Sequence, residues 1–288
     1  MSDLKPFYED VQSHYDLSND FFALFLDPTR TYSCAYFERQ DMTLEEAQIA
    51  KIDLALGKLG LKPGMTLLDI GCGWGTVLKR ALTKYDVNVI GLTLSKNQHE
   101  HVQDELAKLP NPNGRTAEVR LQGWEEFDQP VDRIVSIGAF EHFRRERHTE
   151  FFERTHRLLP EDGRMLLHTI VSFDFYELAA KGINPTSQRM RFGLFIAKEI
   201  FPGGQLPNPK KVKELAGEAG YTLEREHSLN INYARTLDHW SWALAEKKDQ
   251  AVAISGQKMY DTYMRYLTGC AVGFWEGSID VVQFTLVK

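Results

Sequence analysis

The chain has 288 residues, of which 43% are hydrophobic and 26% charged, the balance of an ordinary folded chain long enough for one large domain or two small ones. Lys and Arg number 34 against 40 Asp and Glu, a formal charge of −6, which argues against a protein that grips a phosphate backbone and so against nucleic acid as a partner. Cys34, Cys72 and Cys270 form neither a disulfide framework nor a C-x-x-C pair, the opening M-S-D-L-K-P-F-Y carries no targeting pattern, and no apolar run reaches the ~20 residues of a membrane span; a reducing, cytoplasmic setting is expected, with peripheral membrane contact compatible with it.

Residues 1–60 read as helical. Ser18 is placed to cap a short helix, F-F-A-L-F-L, that ends at Asp27-Pro28. Its apolar side chains suit either burial in the core or a lid over a greasy ligand. Thr43 and Glu46 have capping-box spacing at the start of a longer helix that reaches about Leu59. From Met65 the pattern changes. Apolar strands M-T-L-L-D-I, V-N-V-I-G-L-T-L, A-E-V-R-L-Q, V-D-R-I-V-S-I and R-M-L-L-H-T-I-V alternate with helical segments, the signature of a mostly parallel sheet covered on both faces. Residues 172–208 break the rhythm as a helical insertion. A helix at about 209–219, a strand near 221–229, helices over about 233–273 and a last strand, I-D-V-V-Q-F-T-L-V, complete one α/β domain spanning 1–288.

The stretch L-L-D-I-G-C-G-W-G, residues 67–75, is the most informative. A buried strand ends in Asp69 and glycines follow at Gly71, Gly73 and Gly75, so the chain can turn sharply and let a ligand approach the backbone. A dinucleotide site would space its glycines as G-x-G-x-x-G with an acid about 20 residues on. Here the third glycine comes one position early and the acid precedes the first. This loop resembles the first loop of class I S-adenosylmethionine methyltransferases (Rossmann-like, with a seven-stranded sheet). The second strand departs from that group, because I-G-L-T-L-S-K-N-Q has no acid for the ribose; Thr93, Leu94 and Gln98 stand in its place. Trp124 and Glu125 offer an aromatic face and an acceptor for adenine.

With these motifs, V-Q-S-H-Y-D-L-S-N-D-F-F, R-T-Y-S-C-A-Y-F, S-I-G-A-F-E-H-F, L-L-H-T-I, E-I-F-P-G-G-Q-L-P and Y-L-T-G-C extend a likeness over essentially the whole chain. It resembles the mycolic acid cyclopropane synthases and their methyltransferase relatives, cousins of cyclopropane fatty acid synthases. The resemblance implies transfer of a methylene from S-adenosylmethionine to a double bond of a long (meromycolic) acyl chain carried on acyl carrier protein. A related methyltransferase giving a methyl-branched or hydroxylated product is the alternative. It further implies that Tyr32 and Ser33 touch the cofactor, and that a bicarbonate ion serves as base among Cys34, Glu141, His168, Tyr233 and the backbone of Ile170. Cys270 matches a cysteine sometimes placed in the active site, although methyl transfer to an alkene needs no thiolate.

The alkene is a weak nucleophile, so the reaction needs a strong electrophile, alignment, exclusion of water from a cation, and a base. Phe143, Tyr15 and Tyr266 are expected near the site. Gly138 favours ring closure, since relatives that add a hydroxyl carry Glu there. Lys210, Lys211 and Lys213, or Arg144, Arg145 and Arg147, could dock an acidic carrier by charge. His99 and His101 sit two apart on a helix and do not face each other, and no metal is expected. The rival readings are a methyltransferase for a small polar substrate, which would want the missing ribose acid, and a lipid-binding protein without catalysis, against which the intact loop with Glu141 and His168 counts.

Overall fold

The computed structural model describes Lys5, Pro6 and residues 19–288 apart from Pro185; Ser18 and Tyr15, and most of the motif that contains them, lie outside the described residues. Seven strands form one sheet: β1 (Thr66–Ile70), β2 (Asn88–Thr93), β3 (Ala117–Leu121), β4 (Arg133–Ile137), β5 (Arg164–Ser172), β6 (Thr222–Ser228) and β7 (Ile279–Val287). Their order is β3-β2-β1-β4-β5-β7-β6, and only β7 runs antiparallel to its neighbours. Consecutive residues of the central strands enter opposite cores. Leu68, Ile90, Ile134 and Leu167 join one apolar cluster, while Leu67, Val89, Val135 and Leu166 join another. Burial on both faces is why these strands are apolar without alternation.

Helix α1 (Asn19–Ala23) is short. Phe21, Phe22, Leu24, Phe25 and Leu26 are all buried, with the Phe21 and Tyr263 rings 4.9 Å apart. This segment is therefore part of the core. Residues 28–43 are turns and extended chain rather than helix, which corrects the reading of 1–60 as helical throughout. Helix α2 (Leu44–Gly57) begins with the expected capping box of Thr43 and Glu46. Helices α3 (Thr76–Tyr85), α4 (Lys96–Ala107), α5 (His148–Leu158) and α8 (Pro209–Glu218) cover the sheet. The insertion contains α6 (Phe175–Ala180), α7 (Ser187–Phe195) and a π turn at Ile196–Ile200. Helices α9 (Asn230–Glu246) and α10 (Lys248–Trp275), the latter broken at Gly256 by a φ of 80°, pack with α1 into a third cluster. Among the described residues no helix is long and apolar enough to cross a membrane.

Candidate active site

Strand order reverses between β1 and β4, so the loops that follow them diverge and leave a crevice at the carboxyl ends of the sheet, where open α/β sheets hold ligands. Two cavities meet there. The smaller, about 140 Å³, is walled by the 69–74 loop, by Thr93, Leu94 and Gln98 after β2, by Trp124 and Glu125, and by Tyr32 and Ser33. The larger, about 940 Å³, runs between the insertion and α10. Tyr32, Ser33, Gly138 and His142 line both.

Every residue expected at the cofactor lines the smaller cavity except Gly75. Gly75 instead caps α3 with a φ of 81°, and a Cβ there would stand 2.9 Å from Val102; it serves packing. Gly71 has a φ of 84° and faces Ala139 so closely that a Cβ would stand 2.4 Å from the alanine's own. Where an acid was missing, the Thr93 hydroxyl donates to Gln98 Oε1 at 2.8 Å. That turns the Gln98 amide nitrogen into the available donor. Glu125 Oε1 accepts from Arg147 at 2.8 Å, a buried ion pair the residue pattern did not announce. Burial is the main reason its carboxyl titrates above the ordinary range. Trp124 presses edge-on against Phe151 with ring centroids 5.3 Å apart. Phe143 belongs to this aromatic group and lines the smaller cavity.

Beneath the smaller cavity lie two charged side chains. Asp69 is 1% exposed, its Oδ2 has no hydrogen-bond partner among the described residues, and burial lifts its carboxyl to about 7. Lys51, on the inner face of α2, is fully buried and donates to Ser33 Oγ at 2.7 Å. Burial lowers its pKa to about 8, opposed by the negative charges of Asp27 and Asp69. Beside it Gln48 donates to the backbone carbonyls of Thr31 and Ser33. Neither Lys51 nor Gln48 stood out in the sequence.

The larger cavity collects Cys34, Glu141, His168, Ile170, Tyr233, Tyr266 and Cys270. Strand β5 outruns its partner here. Pairing with β4 ends at Ile137 and His168, the Gly138 amide donates to the His168 carbonyl, and the Ile170 amide beyond it donates to Glu141 Oε1 at 2.6 Å. Glu141 sits in a one-turn helix after β4, and its Oε2 is buried with no partner among the described residues. Burial raises its carboxyl to about 7, against the pull of the Ile170 amide.

His168 is oriented from the other side. Lys58 donates to Gln283 Oε1 at 2.6 Å, and since an ammonium can only donate, the amide nitrogen of Gln283 must face His168 Nδ1, 3.2 Å away. Nδ1 then accepts, which leaves the proton of the neutral ring on Nε2. Burial holds the imidazole neutral by pushing its pKa well below the usual value. Nε2 is also buried without a partner among the described residues. The site thus presents an unmatched acceptor on Glu141 and an unmatched donor on His168. Burial pushes the thiol of Cys34 up, and that of Cys270 to about 12. Burial thus favours the neutral thiol at both positions near pH 7. His142, unremarked in the sequence, is a neutral imidazole at the junction, its pKa lowered by burial to about 4.

In the basic group at Lys210, Lys211 and Lys213 each ammonium pairs with an acid, Glu177, Glu214 and Glu226 respectively. Of the arginine group, Arg147 is taken by Glu125, and Arg145 donates to the Leu206 carbonyl.

Residues 2–284 match the family description of the mycolic acid cyclopropane synthetases. The chain belongs to that family. It is 60% identical to the cyclopropane mycolic acid synthase MmaA2 of Mycobacterium tuberculosis over 100% of both chains, and 61% identical to cyclopropane mycolic acid synthase 3 of the same organism over 99% of each. The solved MmaA2 structure superposes with a TM-score of 0.97 at 61% identity, covering 99% of this chain and 100% of that one. A structure of CmaA1 complexed with SAH and CTAB gives 0.96 at 61% identity, covering 99% of each chain. A coclaurine N-methyltransferase, 20% identical with a TM-score of 0.78, shares the methyltransferase fold.

Proposed function

We propose that the chain acts as one methyltransferase domain that adds a methylene, taken from S-adenosylmethionine, across a double bond of a long unsaturated acyl chain of the mycolic type and closes a cyclopropane. The observation that carries this reading is the meeting of a glycine-walled cofactor cavity and a wide acyl cavity at Gly138. The named cyclopropane synthases, and the CmaA1 complex with SAH and the lipid-mimicking CTAB, support it. The free thiols suit a cytoplasmic setting.

S-adenosylmethionine would supply an electrophilic methyl on a positively charged sulfonium. The alkene π pair would form the new bond to that methyl as the S–C bond breaks and its electrons stay on sulfur, leaving S-adenosylhomocysteine; the neighbouring chain carbon would become cationic, and loss of one proton from the added methyl would let the C–H electron pair close the ring. The protein must align the chain, keep water away and take that proton. Tyr32, Tyr233, Tyr266, Phe201 and Phe274 line the large cavity and put π faces toward a cation. A bicarbonate ion between Glu141 and His168 would supply the base. The unmatched atoms fit it, because its hydroxyl can donate to Glu141 Oε2 while an oxygen accepts from His168 Nε2. For an acidic acyl carrier protein, Arg191 and Arg265 at the wall of the large cavity have no acidic partner among the described residues and suit docking better than the paired lysines.

Incubation with a trideuteriomethyl donor and an unsaturated long-chain acyl substrate tests the reading. Proton NMR should show cyclopropane signals, and mass analysis should find two deuterons retained. Retention of all three would point to a methyl-branched or hydroxylated product. No label in the lipid, with cofactor bound, would overturn acyl methylation.

Gly138 bears on that outcome. Its φ is 68°, and an added Cβ would sit 3.7 Å from Ser33 Cβ, so a side chain fits at a backbone strain of about 1–2 kcal/mol. In Gly138→Glu the carboxylate would hold water at the junction. Part of the product is expected to shift to a secondary alcohol, read by mass. A folded, active variant that makes only cyclopropane would show that this position alone does not set the product.

A further inference from the structure

We infer that Lys51 is a positioning residue for the amino-acid end of the cofactor, acting through Ser33 and Asp69. This rests on the reading of the smaller cavity as the S-adenosylmethionine site. Lys51 is fully buried, yet among the described residues no carboxylate pairs with it. Its one hydrogen bond among the described residues goes to Ser33 Oγ, at 2.7 Å. An ammonium has three donors and no acceptor, so Ser33 must accept. The single hydroxyl proton of Ser33 is thereby free to point elsewhere, and Ser33 lines the cavity. A hydroxyl that accepts from a cation is a strengthened donor, suited to a carboxylate. Asp69 lines the same cavity, its Oδ2 buried and unmatched among the described residues. A buried carboxylate stays ionised only if a positive charge is near. Lys51 is the group whose charge opposes the neutralisation of Asp69, and an ionised Asp69 suits the α-ammonium of the ligand. One buried cation therefore prepares two opposite contacts, a donor for the carboxylate and an acceptor for the ammonium. Gln48, one turn earlier on α2, anchors the carbonyls of Thr31 and Ser33 and fixes the segment that carries the hydroxyl.

The test compares two ligands on the intact protein by calorimetry: S-adenosylhomocysteine, which has the amino-acid end, and methylthioadenosine, which lacks it. Lys51→Met keeps the stem and removes the charge. Affinity for S-adenosylhomocysteine should fall at least about tenfold, while that for methylthioadenosine stays within about twofold. Lys51→Arg should restore part of the loss. Ser33→Ala should lose affinity in the same selective way, and the double variant should lose less than the sum of the two. Equal losses for both ligands, or none for either, would overturn the inference. Should Lys51→Met fail to fold, the wild type still decides: decarboxylated S-adenosylhomocysteine must bind at least about tenfold more weakly than the intact ligand, and equal binding overturns the inference. Failure of both ligands to bind the wild type would instead strike the cofactor reading.

Discussion

Glu141→Gln is expected to lower turnover about 100- to 10,000-fold, the usual range for loss of a general base, while affinity for S-adenosylmethionine changes little. The geometry keeps the two effects apart. Glu141 lines only the larger cavity, whereas the residues proposed for the cofactor line the smaller, Tyr32 and Ser33 bordering both. The variant should fold, because a Gln carbonyl can accept from the Ile170 amide as Oε1 now does at 2.6 Å. What changes is the other atom. Oε2 is a buried acceptor without a partner among the described residues, and the Gln amide would put a donor there, in a cavity to which His168 Nε2 already brings one. Anything held between them would lose its match. Since burial raises the Glu141 carboxyl to about 7, wild-type turnover should climb as pH rises through that value, and this limb should vanish in the variant. Stability should move the other way. With its folded pKa raised, Glu141 favours the fold most below the ordinary carboxylate range and loses that contribution as pH rises through about 7. A variant that loses activity should therefore be at least as stable at neutral pH. Bicarbonate depletion should slow the wild type, and added bicarbonate should restore it. Near-normal turnover of Glu141→Gln, or indifference of the wild type to bicarbonate, would remove these residues from the chemistry.

The parts of the fold legible in the sequence are those where local pattern and packing agree. Leu67-Leu68 and Ile134-Val135 read as strands because both neighbours in each pair are buried, one on each face of the sheet. Thr43 and Glu46 announce their helix because the cap is a local hydrogen-bond pattern. Glycines at 71 and 73 announce a tight loop at a cavity because only a ligand or a close neighbour explains their spacing. The supports behind the site have no such signature. Lys51 sits among ordinary helix formers, and only the packing of α2 turns it inward. The relay from Lys58 through Gln283 to His168 joins residues 225 and 115 positions apart. Arg147 reads as surface charge until Glu125 is found beside it. Residues 28–43 mislead because their apolar members, among them Cys34, Ala35, Phe37 and Met42, are buried without forming a helical stripe.

Gly71→Val should weaken S-adenosylmethionine binding at least about tenfold, or about 1.4 kcal/mol. Two causes act together. The backbone at Gly71 has a φ of 84°, where an L-residue costs about 1–2 kcal/mol and a β-branched one is an outlier. A Cβ would also lie 2.4 Å from that of Ala139, and Ala139 is itself followed by the turn that carries Glu141. Relief of the clash must push the β1 loop and the β4 loop apart, and both are walls of the smaller cavity. The damage should thus extend to the alignment of the methyl with the acyl chain, so that turnover at saturating cofactor falls as well. Gly73→Ala separates blockage from displacement. Its φ is 54°, and an added methyl would meet nothing within 4 Å, although the residue lines the cavity. The new methyl would carry a backbone strain of about 1–2 kcal/mol but push no neighbouring loop aside, while it intrudes on the cofactor's space, so binding should weaken with turnover at saturation largely kept. Calorimetry with S-adenosylhomocysteine and a turnover assay on each folded variant would show the contrast. Unchanged affinity in both would mean that the cofactor does not lie over this loop, and the larger cavity alone would then have to hold whatever the protein binds.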